Sequence, residues 1–345
     1  MNEITTVGID LAKEVFHYVG CNADLKIEKK RKLSGHELAR EMAELKPCLV
    51  AMEACSTSHY WGRCFEAMGH QVRLLPAQHV KPYRRGNKND FNDSLAIAEA
   101  GIRPHMRTVA IKTLEQQDRQ LLDTQRQQFV ADRTRQTLRI RAMLQERGVT
   151  IPKGVARMRQ EVTLILAHRD PAFSPLFYEQ LQQAFEYFRQ LDEHVEACTA
   201  RLKLINKDNP NIQLLKHIPG YGEVLSSLFY SYVGKGDQYA RGAHLSGALG
   251  VVPAQFSTGG KERHLGISKR GNKQLRYLLI NGARAVVSRV GKKTDPISNW
   301  IRQLIHRVGF NKAVVAYANK MARIGWAVLR YQRQFDPYFA VRTGA

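Results

Sequence analysis

Residues 6–10 read Thr6-Val7-Gly8-Ile9-Asp10, a short apolar run that closes on a carboxylate. Apolar and β-branched residues over such a span predict a strand, and an acid at its last position places a charge at the edge of whatever sheet it joins. Residues 15–20 and 26–33 predict two further strands. Leu49-Val50-Ala51-Met52-Glu53 then repeats the first pattern and again closes on an acid, Glu53. A helix over residues 58–68, a strand over 71–75 and a helix over 92–100 complete the segment. Three early strands followed by alternating helices and strands predict a mixed sheet flanked by helices across residues 1–110.

The acids carry the chemical argument. Asp90 and Asp93 open the helix near residue 92 at i and i+3 and so share one helix face. Taken alone, such a pair is explained by capping and by the helix dipole, which favours acids in the first turn. With Asp10 and Glu53 the balance changes. Phosphoryl transfer needs negative charge neutralised on the moving phosphate, and two divalent ions roughly 4 Å apart do this when hard oxygen ligands hold them. Four acids from three chain segments suffice for two Mg2+ ions, with Mn2+ able to substitute. Glu53 is the only acid between residues 45 and 65, and an apolar strand has little structural use for it. The strand order and the acids at strand ends are those of an RNase H-like domain, in which acids on adjacent central strands meet acids from a late helix.

Composition points to a polyanionic partner. The 345 residues, enough for two or three domains, include 53 Lys and Arg against 31 Asp and Glu, a formal net charge of +22. From residue 255 onward there are 18 Lys and Arg against 3 acids, so +15 of that charge lies in the last quarter of the chain. Such concentration predicts a nucleic-acid face there. Five cysteines, Cys21, Cys48, Cys55, Cys64 and Cys198, with no CxxC pair, exclude a disulfide framework and a zinc ribbon and fit a reducing cytoplasm. Cys48, Cys55, His59 and Cys64 cluster in sequence at a spacing that suits core packing better than zinc. No stretch reaches the ~18 apolar residues of a membrane span, and no basic leader precedes an apolar run. The expectation is a soluble, unprocessed, cytoplasmic chain with no membrane partner.

Beyond residue 110 the pattern becomes helical. Residues 114–148 are polar, rich in Gln and Arg and free of internal Gly and Pro, which predicts a long exposed helix. Leu181, Ala184, Phe188, Leu191, Val195, Cys198, Leu202 and Ile205 then repeat at alternating spacings of 3 and 4, a heptad seam. Two readings are open, an antiparallel hairpin of these helices or an intermolecular coiled coil. Asn206 to Pro210 stops the segment, giving a helical coiled-coil portion over 111–210, a mainly α C-terminal domain over 211–335 and a tail over 336–345. Ile218-Pro219-Gly220-Tyr221-Gly222 before an apolar run predicts either a helix-hairpin-helix, with Gly220 and Gly222 letting backbone N–H groups approach a phosphate, or a plain turn between helices. Helical patterns recur near residues 240–249, 274–288 and 312–330.

A glycine-rich tract lies over residues 254–271. In it Ser257-Thr258-Gly259-Gly260-Lys261 sets hydroxyls beside two glycines, and Arg263, Lys269 and Arg270, with Arg276 further on, add cations. A hydroxyl so placed can approach a backbone phosphate, but serine is a weak nucleophile that needs a metal or base to take its proton. Simple phosphate binding therefore stays open beside catalysis. The Walker spacing is absent.

Asp10 in GIDLAKEVF, Glu53 in MEACST, Asp90 and Asp93 in NKNDFNDSLAIAEA, then HIPGYGEV, GVVP, STGGKERHLGISKRGNKQLRYLLINGARAV and NKAVVAYANKMARIGWAVL together resemble the DEDD transposases of bacterial insertion sequences, the family that also includes a pilin-gene invertase. The resemblance spans nearly the whole chain. It implies a RuvC-like domain that binds magnesium through Asp10, Glu53, Asp90 and Asp93, a coiled-coil linker, and a C-terminal transposase domain with a catalytic serine that attacks DNA to form a phosphoserine link. It also implies guidance to donor and target DNA by a structured non-coding RNA of the element. Action as a homo-oligomer, dimer to tetramer, is implied too, with the tetrad of one subunit meeting the serine of another. Counting back from Ser268-Lys269-Arg270-Gly271 selects Ser257 as nucleophile, whereas counting forward from Pro253 selects Thr258; both stand, Ser257 first. Asn272 stands where relatives often carry aspartate and receives no role. Competing readings are a metal-dependent junction nuclease that uses water and a non-catalytic nucleic-acid scaffold.

Overall fold

A computed structural model describes residues 3–87, 89–258, 261–291 and 293–338 and divides into two compact units, Met1–Leu114 with Asp237–Ala240, and Glu115–Gly236 with Arg241–Ala345. In the first unit the predicted strands form one five-stranded sheet. Its members are β1 (Thr6–Leu11), β2 (Phe16–Cys21), β3 (Ile27–Leu33), β4 (Leu49–Glu53) and β5 (Gln71–Leu75), in the order β3-β2-β1-β4-β5. β1 and β2, and β2 and β3, pair antiparallel as hairpins allow; β1 with β4 and β4 with β5 pair parallel, each across a helical crossover. Three antiparallel strands followed by two parallel ones fit an RNase H-like domain.

Alternation along the strands sorts side chains onto two faces. Val7, Ile9, Phe16, Tyr18, Val50 and Met52 point one way and are covered by α1 (Gly35–Glu44) and α2 (Ser58–Ala67) through Leu38, Met42, Trp61 and Phe65. Ser34 starts α1 with a reciprocal capping box to Glu37, so that turn is fixed locally by the sequence. The opposite face carries Gly8, Val19, Cys21 and Ala51. After the short α3 (Ala77–Val80), α4 (Asp90–Gly101) lies on that face, with Ala98 against Val19 and Cys21, and Ala96, Ile97 and Ala100 against Ala51 and Leu75.

The approach of α4 is unusually close because two glycines permit it. A Cβ on Gly8 would lie 2.0 Å from the Ser94 carbonyl oxygen and 2.7 Å from the Ala98 nitrogen, and one on Gly101 would lie 2.5 Å from the Ala51 Cβ. Ser94 Oγ also donates to the His17 carbonyl at 2.9 Å, tying α4 to β2. The first turn of α4 is thereby set over the end of β1.

The second unit begins with two long helices, α5 (Leu114–Gln145) and α7 (Pro175–Lys207), separated by α6 (Val155–His168). The predicted seam of α7 is its buried face, with Leu181 and Phe188 joining Ile140, Leu144, Met158 and Val162 in a cluster at one end. Along the rest of their length polar side chains link the helices. Arg119 donates to Asn206 Oδ1 at 2.9 Å, Arg126 to Thr199 Oγ1 at 2.8 Å, Arg133 to Asp192 at 2.6 Å and Gln136 to the Ala184 carbonyl at 2.8 Å. Partner numbers fall on α7 as they rise on α5, so the two helices run antiparallel within one chain.

Helices α8 (Pro210–Lys216), α9 (Glu223–Val233), α10 (Gly242–Ala248), α11 (Lys273–Val287) and α12 (Pro296–Val308) gather around α13 (Phe310–Tyr331), which is buried along most of its length. The tract read as a glycine-rich loop is instead a hairpin, β6 (Pro253–Thr258) antiparallel to β7 (Lys261–Ile267). Only Gln255-Phe256-Ser257-Thr258 of β6 carries the alternation of a strand, and the polar start of β7 and the glycines at the turn obscure the ribbon in the sequence. Among the described residues no helix is long and apolar enough to cross a membrane.

Two stability changes are expected. Gly8→Ala forces a methyl group into the α4 backbone and costs about 3 kcal/mol or more, read as a shift in the denaturant midpoint. Asp123 on α5 is buried, accepts a hydrogen bond from Ser227 Oγ at 3.2 Å, and is pushed up to about 7 by burial against the opposing pull of Ser227, Arg126 and Arg119. The folded state thus holds a proton that the unfolded chain releases at a lower pH. Stability falls as pH rises from about 4 to about 7, and Asp123→Asn removes that part of the slope in melting curves.

Candidate metal centre

Asp10 is the penultimate residue of β1 and Glu53 the last of β4. Ile9 pairs with Met52 in the parallel register, so the two acids follow side by side at the carboxyl end of the two central strands. Asp10 shares its face with Gly8 and Glu53 shares its face with Ala51, which is the face α4 covers. From α4 come Asp90 and Asp93, in a first turn started by Asn89, whose side chain accepts the Asn92 N–H at 2.8 Å. Ligand oxygens of Asp10, Asp90 and Asp93 all lie within 4.8 Å of one another. Glu53 completes the group electrostatically: burial first, then the charges of Asp10 and Asp93, hold its carboxyl above the ordinary range, while Lys81 and Arg84 pull the other way.

Such an arrangement is costly without a counter-charge, because like charges this close oppose one another's ionisation. Hard carboxylate oxygens of Asp10, Asp90 and Asp93 converging from β1 and α4 fit a divalent cation such as magnesium. The flanks carry basic side chains as well. Arg84 Nη1 lies 3.4 Å from Asp93 Oδ1, and His17 Nε2 lies 3.4 Å from Asp90 Oδ2 with its ring edge-to-face against Phe91 at 5.0 Å. Neither residue stood out in the sequence. For His17 a signal existed: once the residues 6–10 and 15–20 strands are read as a hairpin, His17 is the antiparallel partner of Asp10.

The residues expected to handle nucleic acid divide by environment. Ser257 and Thr258 end β6 and pair through the backbone with Glu262 and Lys261; Arg263 pairs with Phe256. Gly259 and Gly260, and the side chains of residues 256–264, lie outside the described part of the structure. Lys269 and Arg270 are exposed just beyond the ribbon. Arg276 is not exposed to a ligand: it is 9% accessible and donates to the Leu249 and Arg270 carbonyls at 3.1 and 2.6 Å, fastening the ribbon's base to α11. Gly220 likewise serves packing. It has φ +97°, and a Cβ there would lie 2.7 Å from Met321 Cε and 3.1 Å from the Gly282 carbonyl oxygen, so only glycine fits between α11 and α13. Gly222, exposed at the start of α9, keeps its backbone open. Asn272 caps α11 by accepting the Leu275 N–H at 2.9 Å, a task aspartate performs equally well. Cys48 is buried with Sγ 3.5 Å from His70 Nδ1, and its thiol is pushed up to about 11 by burial, as suits a packed and unreactive side chain.

Sheet order and the acids at its carboxyl edge define the class, a chain built on an RNase H-like DEDD domain. A DEDD transposase family model of the IS110 type matches residues 7–148, and a model described as transposase IS116/IS110/IS902 family matches residues 212–297. The chain is 42% identical over 335 residues to the transposase for insertion sequence element IS1111A of Coxiella burnetii, covering 97% of this chain and 92% of that one. It is 35% identical over 328 residues to the transposase for insertion sequence element IS1328 of Yersinia enterocolitica, covering 95% and 97% of the two chains. With a probable family 20 transposase of Pseudomonas aeruginosa it shares 36% identity over 335 residues, 97% and 99% of the two chains. The protein belongs to the IS110 family of DEDD insertion-sequence transposases.

A pH-dependent response to metal is expected. Because Glu53 is held protonated above its ordinary range in the fold, folding without divalent cations is penalised progressively as pH rises through that interval, and the penalty persists above it. Added Mg2+ needs the ionised form, so it raises the melting temperature more at pH 8 than at pH 5, and Glu53→Gln abolishes the difference.

Proposed function

We propose that this chain is the transposase of an insertion sequence, cutting and rejoining DNA by metal-assisted phosphoryl transfer with Ser257 as nucleophile and Thr258 as the alternative. The observation that carries the reading is the convergence of Asp10, Asp90 and Asp93 within 4.8 Å, beside Glu53, whose carboxyl is raised by burial and then by Asp10 and Asp93. These four residues would hold magnesium, as two ions, and manganese could replace it. Bound there, the metal would neutralise the phosphate oxygens and favour loss of the nucleophile's proton.

The chain's own part is to hold the phosphodiester and supply the hydroxyl. As the Ser257 Oγ–P bond forms, the P–O3′ bond breaks and the freed 3′-hydroxyl takes up a proton, leaving DNA joined to serine through phosphate. One phosphoester is exchanged for another, so reversal on a new strand rejoins the ends without external energy. Gly259, Gly260, Lys261, Arg263, Lys269, Arg270 and the exposed Gly222 would hold the DNA, and Arg276 and Gly220 would support that surface from within. The family resemblance further suggests a non-coding guide RNA and assembly as dimer to tetramer. In that scheme residues 1–110, 111–210 and 211–335 serve as the acid-bearing domain, the helical coiled-coil arm and the serine-bearing domain.

The test is a denaturing gel of protein, Mg2+, element-junction DNA and flanking RNA. Wild type forms a covalent protein–DNA band that Ser257→Ala loses. Asp10→Asn and Glu53→Gln each lower its rate on the order of 100-fold or more. Loss with Thr258→Ala alone moves the nucleophile by one residue, and nicking without any band points to water as the nucleophile.

A further inference from the structure

Strand β3 is the most basic element of the first unit: Ile27-Glu28-Lys29-Lys30-Arg31-Lys32-Leu33 has four cations in succession on a sheet edge. Strand alternation separates them into two pairs with different fates. Lys29 is registered against Gly20 and Arg31 against Tyr18, on the face covered by α1. There both are spent on Glu41, which is 7% exposed: Lys29 pairs with one carboxylate oxygen and Arg31 with the other at 3.0 Å. Lys30 is registered against Val19 and Lys32 against His17, on the face that carries α4 and the acids. Both are exposed, and among the described residues neither pairs with a carboxylate. The Lys30 ammonium lies instead 6.0 Å from the Phe91 ring centroid.

The position of this free pair is specific. Asp10 pairs with His17 and His17 with Lys32, while Asp10 and Glu53 are neighbours on the other side. Glu53, Asp10, His17 and Lys32 therefore form one row across four strands, and Lys30 lies two residues along β3 from its end. At about 4.8 Å per strand, Lys32 is rooted roughly 10 Å from Asp10. That is within a few phosphates of the reacting one along a single DNA strand. On the opposite flank Arg84 is engaged with Asp93 and Lys81 acts on Glu53, so the cations that continue the row away from the acids are those of β3.

We propose that Lys30 and Lys32 bind backbone phosphates of the DNA strand whose reacting phosphate sits at the acid cluster, leading that strand across β2 and β3. The inference rests on reading the acids as the cleavage centre. A protective lysine on a sheet edge keeps other strands away whichever face it takes. Here the face toward the acids is open and the other is neutralised. The DNA strand is favoured over RNA as occupant because the row is continuous with the site that must receive a phosphodiester for cleavage.

The test uses the full chain and an element-end DNA oligonucleotide, with binding measured in EDTA and cleavage measured with Mg2+. Lys30→Gln/Lys32→Gln weakens DNA binding about tenfold near physiological salt and flattens the slope of log K against log salt by about 1.8. Lys30→Arg/Lys32→Arg restores affinity. Arg40→Gln/Lys46→Gln, an equal charge change at cations paired with Glu44 and Glu3 elsewhere in the unit, leaves the slope unchanged. An unaltered slope in the Lys30/Lys32 variant overturns the proposal, as does an equal loss in the Arg40/Lys46 variant. A loss confined to a structured RNA probe gives the surface to RNA and also overturns it. If instead Asp10→Asn cleaves normally while the binding result holds, the failure is that of the acid reading and not of the surface.

Discussion

The contact between the α4 backbone and β1 at Gly8 is the constraint on which the acidic site depends. Two acids on a helix and two on strands meet only if the helix lies directly on the sheet. With the Ser94 carbonyl 2.0 Å from where a Cβ would be, no other residue allows that approach without displacement. The alanine-rich face of α4 and the second glycine at its end, Gly101 over Ala51, keep the helix equally close along its length. Packing free energy from this face opposes the repulsion among Asp10, Glu53, Asp90 and Asp93. The fold thus holds together charges that would separate in water, and the raised carboxyl of Glu53 records the cost. A strained electrostatic arrangement kept in place by apolar contact is the usual condition of a site built for a cation.

Positive charge is divided between structural and open positions by local geometry, in both units. On β3 a single buried glutamate absorbs Lys29 and Arg31, while Lys30 and Lys32 remain open because they point to the other face. In the helical arm Arg119, Arg126 and Arg133 bridge α5 to α7, and Asp192 receives both Arg133 and Arg159. Arg276 likewise satisfies two backbone carbonyls beneath the ribbon. The net charge of +22 does not say which cations are open to a ligand, and those can be named only after each guanidinium has been followed to its acceptor.

Much of the first unit was legible in the chain. All five strands and the α4 helix were marked by alternation or apolar runs, and the acids stood in a first turn and at strand ends, where an apolar strand has little other use for Glu53. The heptad seam of α7 was equally plain. What was missed has specific reasons. α6 starts at Gly154 with no side-chain cap, so its beginning carries no signal. α12 does carry one, since Asp295 accepts the Ser298 N–H and Pro296 takes the first position, yet it falls between the two helical patterns that were read. β6 and β7 were hidden by the glycines between them.

The sequence by itself determined the period of each element, the concentration of basic residues in the last quarter, the positions of the four acids and the family to which the chain belongs. These are local or compositional properties, written in spacing and residue type. Tertiary structure alone decided that the helix acids meet Asp10, that Arg84 flanks them, that Gly220 and Arg276 serve packing, and that two of the four β3 cations are free. Each of those outcomes depends on which strand or helix lies beside a residue. That choice is made by the packing of distant segments, and no window of sequence contains it.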